Sequence, residues 1–462
     1  MPVSHVFDPV RLLDEMPATL PFIRSTRRVG VVGLFQSGKT TFLTSLIAHL
    51  RSHDPAHLHL GTGVDVYPPV ELAAEEGFEA FAFEAHRARL AREHRWPEKT
   101  AAVAQYRADL TVKVGASERR TRLSLLDCPG ERLADLPMAG RSFGEWSEWM
   151  LEQLRSPQNR GHAAEFLALV ETHEADAEAL LAAYRRTLAR LALAYTPIVS
   201  PSFFVLDEGG EEIPAAGRSV EWIAANRAVG LDKDNQFAPM NAEHRARRPE
   251  LERVFGGRFD AYRAHAVTPL AKWLKRSHHL VVLVDVSMIL AGGLGMLRSH
   301  AALIDQILAY TDPGFGSVGE WARRATAAFG VPLAGVRKIT FVAAKADKVH
   351  PDDRVRLDGL LRQLVRPSVR RHEAKAEHLD IEYLICSAIK STGATKDGRL
   401  VGGLPGAGES SFSVSRVPEA WPAEDWPAYR FTGVDPKFPS NELYPPPHSG
   451  MHLAAKSILG LD

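Results

Sequence analysis

Short apolar runs bounded by glycine alternate with longer periodic stretches along this chain. Residues 27–33, RRVGVVG, form a brief apolar run, which predicts a buried strand. Leu43, Leu46, Ile47 and Leu50 then recur at helical spacing, which predicts a helix from 39 to about 50. Residues 51–100 read as irregular, then helical. From Tyr106 to Val114 apolar and polar residues alternate strictly, as in a half-buried strand. The turn GASE, 115–118, sends the chain back along a second strand at 123–127, giving an antiparallel hairpin.

The pattern changes at about residue 142. Ala, Leu, Glu and Arg dominate, and Leu180, Tyr184, Leu188, Leu191 and Tyr195 form a helical stripe that stops before Pro197. The expectation is a mainly helical domain over 142–275, inserted into another, with a stray strand at 203–206. Strand-like runs resume at 280–286, 339–344 and 381–386, separated by helical patterns such as Leu357, Leu360, Leu361 and Leu364. Strand and helix in alternation predict an α/β fold with a mostly parallel sheet. The domain map is therefore a lead at 1–26, an α/β domain at 27–141 and 276–462, and the helical insert between.

Two segments need separate comment. The longest apolar run, 280–297, contains Asp285 and three glycines, so it reads as a buried strand followed by a Gly-rich turn rather than a membrane-spanning helix. Residues 401–450 hold nine Pro and six Gly, interleaved with Trp421, Trp426, Tyr429 and Phe431. A flexible linker needs no such aromatics, so a loop packed on the domain is expected, closed by a short helix at 452–459.

Composition narrows the function classes. Lys+Arg 56 balances Asp+Glu 56, which argues against non-specific nucleic-acid binding. Two cysteines, Cys128 and Cys386, support neither a disulfide framework nor a four-thiolate zinc site, and fit a reducing cytoplasm. The N-terminus lacks a basic start and a long apolar core, so no signal peptide and no transmembrane segment are expected; peripheral membrane contact stays open. His278, His279 and His350 lack partners at metal-ligand spacing and read as strand-end or surface histidines. The Arg- and His-rich patch from Arg87 to Arg95 could touch acidic partners, but Glu84, Glu93 and Glu98 interleave with it, so it reads as a solvated helical face.

The chemistry lies at the ends of the predicted strands. Gly33-Leu-Phe-Gln36-Ser37-Gly38-Lys39-Thr40, followed by Thr41, matches G-x-x-x-x-G-K-[ST] between a strand and a helix. The glycines let backbone N–H groups curl inward around phosphate, and the helix adds its positive N-terminus. Lys39 reaches the β- and γ-phosphates, and the Thr40 hydroxyl can ligate Mg²⁺. The next strand ends in Asp127-Cys128-Pro129-Gly130. There Asp127 can hold the Mg²⁺ shell and Gly130 N–H can sense a γ-phosphate. A third strand ends in Ala344-Lys345-Ala346-Asp347, where a carboxylate can accept from guanine N1–H and its exocyclic amine while the Lys345 stem lies along the base. The fourth ends in Cys386-Ser387-Ala388, whose backbone N–H can meet the guanine oxygen.

The order of these motifs is that of Ras-like GTPases. GLFQSGKTTFLTSLIAHL, WPEKT, DCPGERLADLP, AAKADKVHPDDRVRLDGLLRQLV and SAIKST resemble the YcjX-like family of P-loop GTPases across most of the chain. The resemblance implies a Ras-like P-loop domain, a large helical insertion, cytoplasmic residence, GTP/GDP binding and an association with a bacterial stress response. The chain departs from the family at Ala344, where Thr is usual and ties the base loop to the phosphate loop. It departs again at Cys128 and Arg132, which replace an aromatic pair.

Further candidates follow from position. Thr100 precedes the hairpin where a first switch belongs; its oxygen could complete the Mg²⁺ shell, or it could be a helix cap. Glu131 stands where fast hydrolases carry a water-orienting Gln; it could position water, act as a base or be solvated. Arg132, Lys99 and Arg95 are candidate charge stabilisers. Lys39, Thr100 and Glu131 are thus the catalytic candidates. The reading is a GTP-binding protein with slow Mg²⁺-dependent hydrolysis, its insert facing an unknown protein partner. The alternatives are an ATP-using P-loop enzyme and a nucleotide-gated scaffold without useful turnover.

Overall fold

The computed structural model describes residues 25–33, 37–52, 57–97, 103–128, 130–194, 219–226, 233–311, 336–372, 379–423, 425–441 and 444–461. In chain order the central elements are strand β1 (Ser25–Gly33), helix α1 (Lys39–Ser52), short strands β2 (Val64–Val66), β3 (Val70–Leu72) and β4 (Glu79–Ala80), helix α2 (Phe83–Ala91), and the hairpin β5 (Ala104–Val114) and β6 (Ser117–Cys128). A 3₁₀ segment, Gly130–Met138, follows. Between it and β7 (His279–Val284) the described residues hold helices and no strand. The longest of these are α3 (Phe143–Arg155), α4 (Arg160–Glu171), α5 (Ala177–Leu193), α6 (Pro249–Tyr262) and α7 (Thr268–Arg276), with a π turn at Arg263–Val267. After β7 come α8 (Val286–Thr311), β8 (Lys338–Ala343), α9 (Arg354–Arg371) and β9 (Asp380–Ile385). A separate three-stranded antiparallel sheet, β10 (Thr392–Ala394), β11 (Leu400–Leu404) and β12 (Gly408–Phe412), and helix α10 (Met451–Leu459) complete the chain.

The main sheet runs β2-β5-β6-β1-β7-β8-β9, with β3 and β4 also on β5. The strands β6, β1, β7, β8 and β9 are mutually parallel, and β5 is antiparallel to β6. This mixed α/β, mostly parallel sheet is consistent with a P-loop fold. Successive strand residues point to opposite faces, and both faces are covered. Val29, Val31, Val281 and Leu283 meet Leu43, Leu46 and Ile47 of α1 and Ile458 of α10. Val32, Val282, Val284 and Phe341 meet Ile289 and Ile304 of α8 and Leu357 and Leu361 of α9. The parallel order gathers the carboxyl ends of β1, β6, β7, β8 and β9 along one edge.

The reading of 280–297 needs correction. The strand is there, but a 26-residue helix, α8, follows in place of a Gly-rich turn. Glycine is a poor helix former, yet packing of Ile289, Leu290 and Met296 into the core outweighs that cost. The glycines survive as a kink, with Gly293 at φ 82. By length and composition alone, Val286–Ala309 could cross a membrane; part of it packs on the sheet. The three short strands β2–β4 in the stretch read as irregular are a second correction, because each leans on β5 for its hydrogen bonds. Pairing in β11 and β12 likewise went unread behind the Gly and Pro content. The aromatics beyond them do pack: Trp421 Nε1 donates to Leu360 O at 2.9 Å and Trp426 Nε1 to Leu290 O at 2.7 Å.

The helical stretch carries its own core. Ser142 and Glu145 form a reciprocal capping box that starts α3. Trp146 packs on Phe259 (5.3 Å between centroids) and Phe237 (5.4 Å), and Leu180, Tyr184, Leu188 and Leu191 are buried. Tyr195 and residues 203–206 lie outside the described residues, as does nearly all of the 1–26 lead.

Two buried histidines, His49 and His279, and the half-buried His278 bear on stability. Burial, with Lys338 nearby, pushes His279 down to about 3, and burial beside Arg337 pushes His278 to about 4. Burial, then His448 and His57, holds His49 at about 3. In the unfolded chain these rings take a proton below their ordinary 6.5, whereas in the fold they stay neutral down to 3–4. The unfolded state therefore binds more protons across that window, and stability falls as pH drops through it. The thermal midpoint should decline from pH 6.5 toward pH 5, above the ordinary carboxylate range. A flat midpoint across those values would contradict the burial argument.

Candidate functional site

Gly33, the last residue of β1, is where the phosphate loop leaves the sheet. A Cβ there would sit 2.0 Å from Ser37 Oγ and 2.4 Å from Lys39 Cγ, so only glycine lets the loop fold back this tightly. Gly38 has φ +86, the left-handed region that glycine tolerates. Helix α1 starts at Lys39, and Phe42 N–H donates to Gly38 O at 2.8 Å. Ser37 Oγ is buried and makes no hydrogen bond among the described residues, a polar group left for a ligand to meet. Thr41 is half-buried in the first turn. Gln36 lies outside the described residues.

The end of β6 is brought to the same place by its parallel pairing with β1, Val31 opposite Asp127. Thr40 Oγ1 donates to Asp127 Oδ2 at 3.0 Å, with Thr40 7% and Asp127 1% exposed. A hydroxyl and a carboxylate, adjacent and buried, are the hard oxygen donors that suit Mg²⁺. Gly130 opens the 3₁₀ segment directly after. The Glu131 side chain, Thr100 and Lys99 lie outside the described residues, so the structure does not place them. Arg132 donates to Tyr262 Oη at 3.0 Å, and that hydroxyl donates to Asp135 Oδ2 at 2.6 Å. Arg95 is exposed just beyond α2. Cys128 and Cys386 are buried free thiols, and burial pushes the Cys386 thiol up.

The base-side residues come from β8 and β9. Lys345 adopts a left-handed backbone, φ 54, and its Cε lies 3.4 Å from where a Gly38 Cβ would be. The third strand end therefore lies beside the phosphate loop. Asp347 is 5% exposed; burial raises its pKa, opposed by Ser391 N–H, which donates to Oδ2 at 2.9 Å. The fourth strand end is anchored from two sides. Ser387 exchanges backbone hydrogen bonds with Ser449 (2.7 and 3.0 Å), and Ser45 Oγ of α1 donates to Ala388 O at 2.6 Å. Among the described residues, Gly33, Ser37, Gly38, Lys39, Thr40, Thr41, Asp127, Gly130, Lys345, Asp347, Ser387 and Ala388 thus share one edge of the sheet.

In the sequence Asp285 served only to argue against a membrane-spanning helix. It is fully buried at the end of β7, with Oδ2 3.1 Å from Lys345 Nζ and 3.7 Å from Lys348 Nζ. Burial alone would raise its pKa, but the two lysines together with the hydrogen bonds from Ser287 and Met288 N–H hold the carboxyl well below the usual range. A usable signal existed: like Asp127 and Asp347, it is a carboxylate at the end of an apolar strand. The histidines lie elsewhere. His278 Nδ1 accepts from Arg28 N–H, His279 Nε2 meets Thr340 Oγ1 at 2.8 Å, and His350 Nδ1 lies 3.2 Å from Asp352.

A family model described as the YcjX-like family, DUF463, matches residues 27–461. Two curated proteins, each described as Ras-like GTPase YcjX, are similar to the chain. The one from Shewanella oneidensis is 24% identical over 396 residues, 79% of this chain and 77% of the relative. The one from Escherichia coli K12 is 25% identical over 402 residues, 79% of this chain and 78% of the relative.

Proposed function

The chain belongs to the YcjX-like family, and from that premise we propose that it binds guanine nucleotide and hydrolyses GTP slowly to GDP and phosphate, as a nucleotide-state switch in a Ras-like domain. The observation that carries the reading is the approach of Lys345 to Gly38, which sets a base-reading loop beside a phosphate loop. The orphaned Ser37 hydroxyl and the pairing of Thr40 with Asp127 support a polyphosphate with its cation.

The roles follow from position. Loop amides and the start of α1 bind phosphate, and Lys39 neutralises charge developing on the transferred group. Thr40 and Asp127, with Thr100 as a further oxygen donor, would hold Mg²⁺, which when bound supplies charge neutralisation across the phosphates. Lys345, Asp347, Ser387 and Ala388 read the base. Glu131 orients the attacking water. Arg132 is engaged by Tyr262, which supports slow turnover in the isolated protein.

Residues 142–275 act in this proposal as an inserted helical domain and the docking surface for a protein partner. Support comes from Tyr262 of α6, which grips Arg132 and Asp135 just after the D-x-x-G turn, so movement of that turn is felt by the helices. A cytoplasmic, stress-type role belongs to the same reading. The test pairs equilibrium binding of fluorescent GDP and ADP with single-turnover GTP hydrolysis. GDP should bind far more tightly than ADP, and hydrolysis should be slow but measurable. Equal ADP binding would point to a generic P-loop nucleotidase, and GDP binding without hydrolysis to a nucleotide-gated scaffold.

A further inference from the structure

We propose that the buried carboxylate of Asp285 is the positioning residue that holds Lys345 across Gly38, and so ties the base-reading loop to the phosphate loop. The inference rests on the guanine-nucleotide reading above. At Ala344, just before Lys345, there is no polar side chain to make such a tie, and the Ala344 N–H is already given to Val284 O at 2.9 Å. Lys345 itself stands at φ 54, a backbone conformation disfavoured for any residue with a Cβ. A residue held there needs its surroundings to keep it there.

Asp285 supplies that hold. Its Oδ1 accepts from the Ser287 hydroxyl at 2.5 Å and from Met288 N–H at 3.0 Å, which locks the carboxylate plane. Its Oδ2 is left facing Lys345 Nζ at 3.1 Å, in a site where Asp285 has 0% exposure. The carboxylate is buried but the lysine side chain is 31% exposed, so water screens the pair only in part, and without the carboxylate the ammonium can turn toward solvent and away from Gly38. The lysine stem then lies against Gly38, where an added Cβ would already be in contact at 3.4 Å. A single buried carboxylate at the end of β7 thus connects the loops after β1 and β8.

Asp285 also caps α8 through Met288 N–H. Asp285→Asn separates the two jobs, because asparagine is an equally good cap while the NH₂ it leaves facing Lys345 once its oxygen caps the helix cannot accept from an ammonium. The experiment measures the dissociation rate of GDP carrying a fluorescent ribose group from wild type, Asp285→Asn, Lys345→Ala and the double variant, together with thermal melting of each protein without nucleotide. Asp285→Asn should release GDP roughly tenfold faster, as loss of a buried charge partner acts mainly on dissociation. Its melting midpoint should stay within about 2 °C of wild type. The double variant should release GDP no faster than Lys345→Ala alone, because both changes break the same link.

Dissociation at the wild-type rate would overturn the proposal, as would effects that multiply in the double variant. Asp285→Ser, a smaller cap without charge, is the second variant. If both it and Asp285→Asn, which keep the cap, melt far below wild type without nucleotide, the charge pair holds the fold as a whole rather than the two loops, and the proposal fails. Wild type that binds no GDP would instead sink the reading on which the proposal rests.

Discussion

Lys39→Ala should abolish detectable GTP turnover while leaving the fold intact. Lys39 is the first residue of α1 and its stem folds back over Gly33, where a Cβ would lie 2.4 Å from Lys39 Cγ. It belongs to none of the buried clusters that hold the sheet. Alanine is at least as good a helix former, so the melting midpoint should hardly move. The cation, in contrast, is placed where phosphate charge accumulates. Removing one preorganised charge stabiliser of this kind costs roughly a hundredfold to a thousandfold in rate. Triphosphate binding should weaken with it, and diphosphate binding less, because the lysine reaches toward the γ-position. Single-turnover hydrolysis and equilibrium binding of a non-hydrolysable GTP analogue check both parts. Turnover at the wild-type rate would remove this loop from the active site.

Asp347→Asn should exchange the base preference from guanine to xanthine. The geometry sets which way the new amide faces. Ser391 N–H donates to Asp347 Oδ2 at 2.9 Å and requires an acceptor there, so asparagine turns its carbonyl to Ser391. Its NH₂ then takes the other oxygen's position, which on the guanine reading faces the base. Guanine presents two donors to that position and meets a third. The stranded groups should cost about 1.5–3 kcal/mol of GDP affinity, or more. Xanthine carries a carbonyl where guanine has its amine, and accepts from the new NH₂. Wild type and variant titrated with GDP and XDP decide the matter. A variant that keeps its GDP preference would mean that Asp347 does not read the base.

Local chemistry determined much of this protein before any contact was known. The alternation from Tyr106 to Val114, the uniformly apolar 280–284 and the i, i+3, i+4, i+7 pattern of Leu43, Leu46, Ile47 and Leu50 each specify one element, because side-chain period and element type are the same information. The strand-end motifs were legible for a related reason. In a parallel α/β sheet every strand delivers its carboxyl end to one edge, so Asp127, Asp347 and Ser387 could be aligned with Gly33 from order alone. What resisted was whatever depends on a distant partner. The strands β2 to β4 exist because β5 offers them hydrogen bonds, and α8 resumes past the break at Gly293 because the core buries Ile289 before it and Met296 after it. From the sequence Asp285 told only against a membrane span. Only the side-by-side pairing of β7 and β8 put Lys345 within 3.1 Å of it, and neither residue carries in its own neighbourhood any trace of the other. The tie of Arg132 to Tyr262 joins residues 130 positions apart. Contacts of that kind are decided by how the layers stack, through burial and pairing summed over the whole sheet, and periodicity has no term for them.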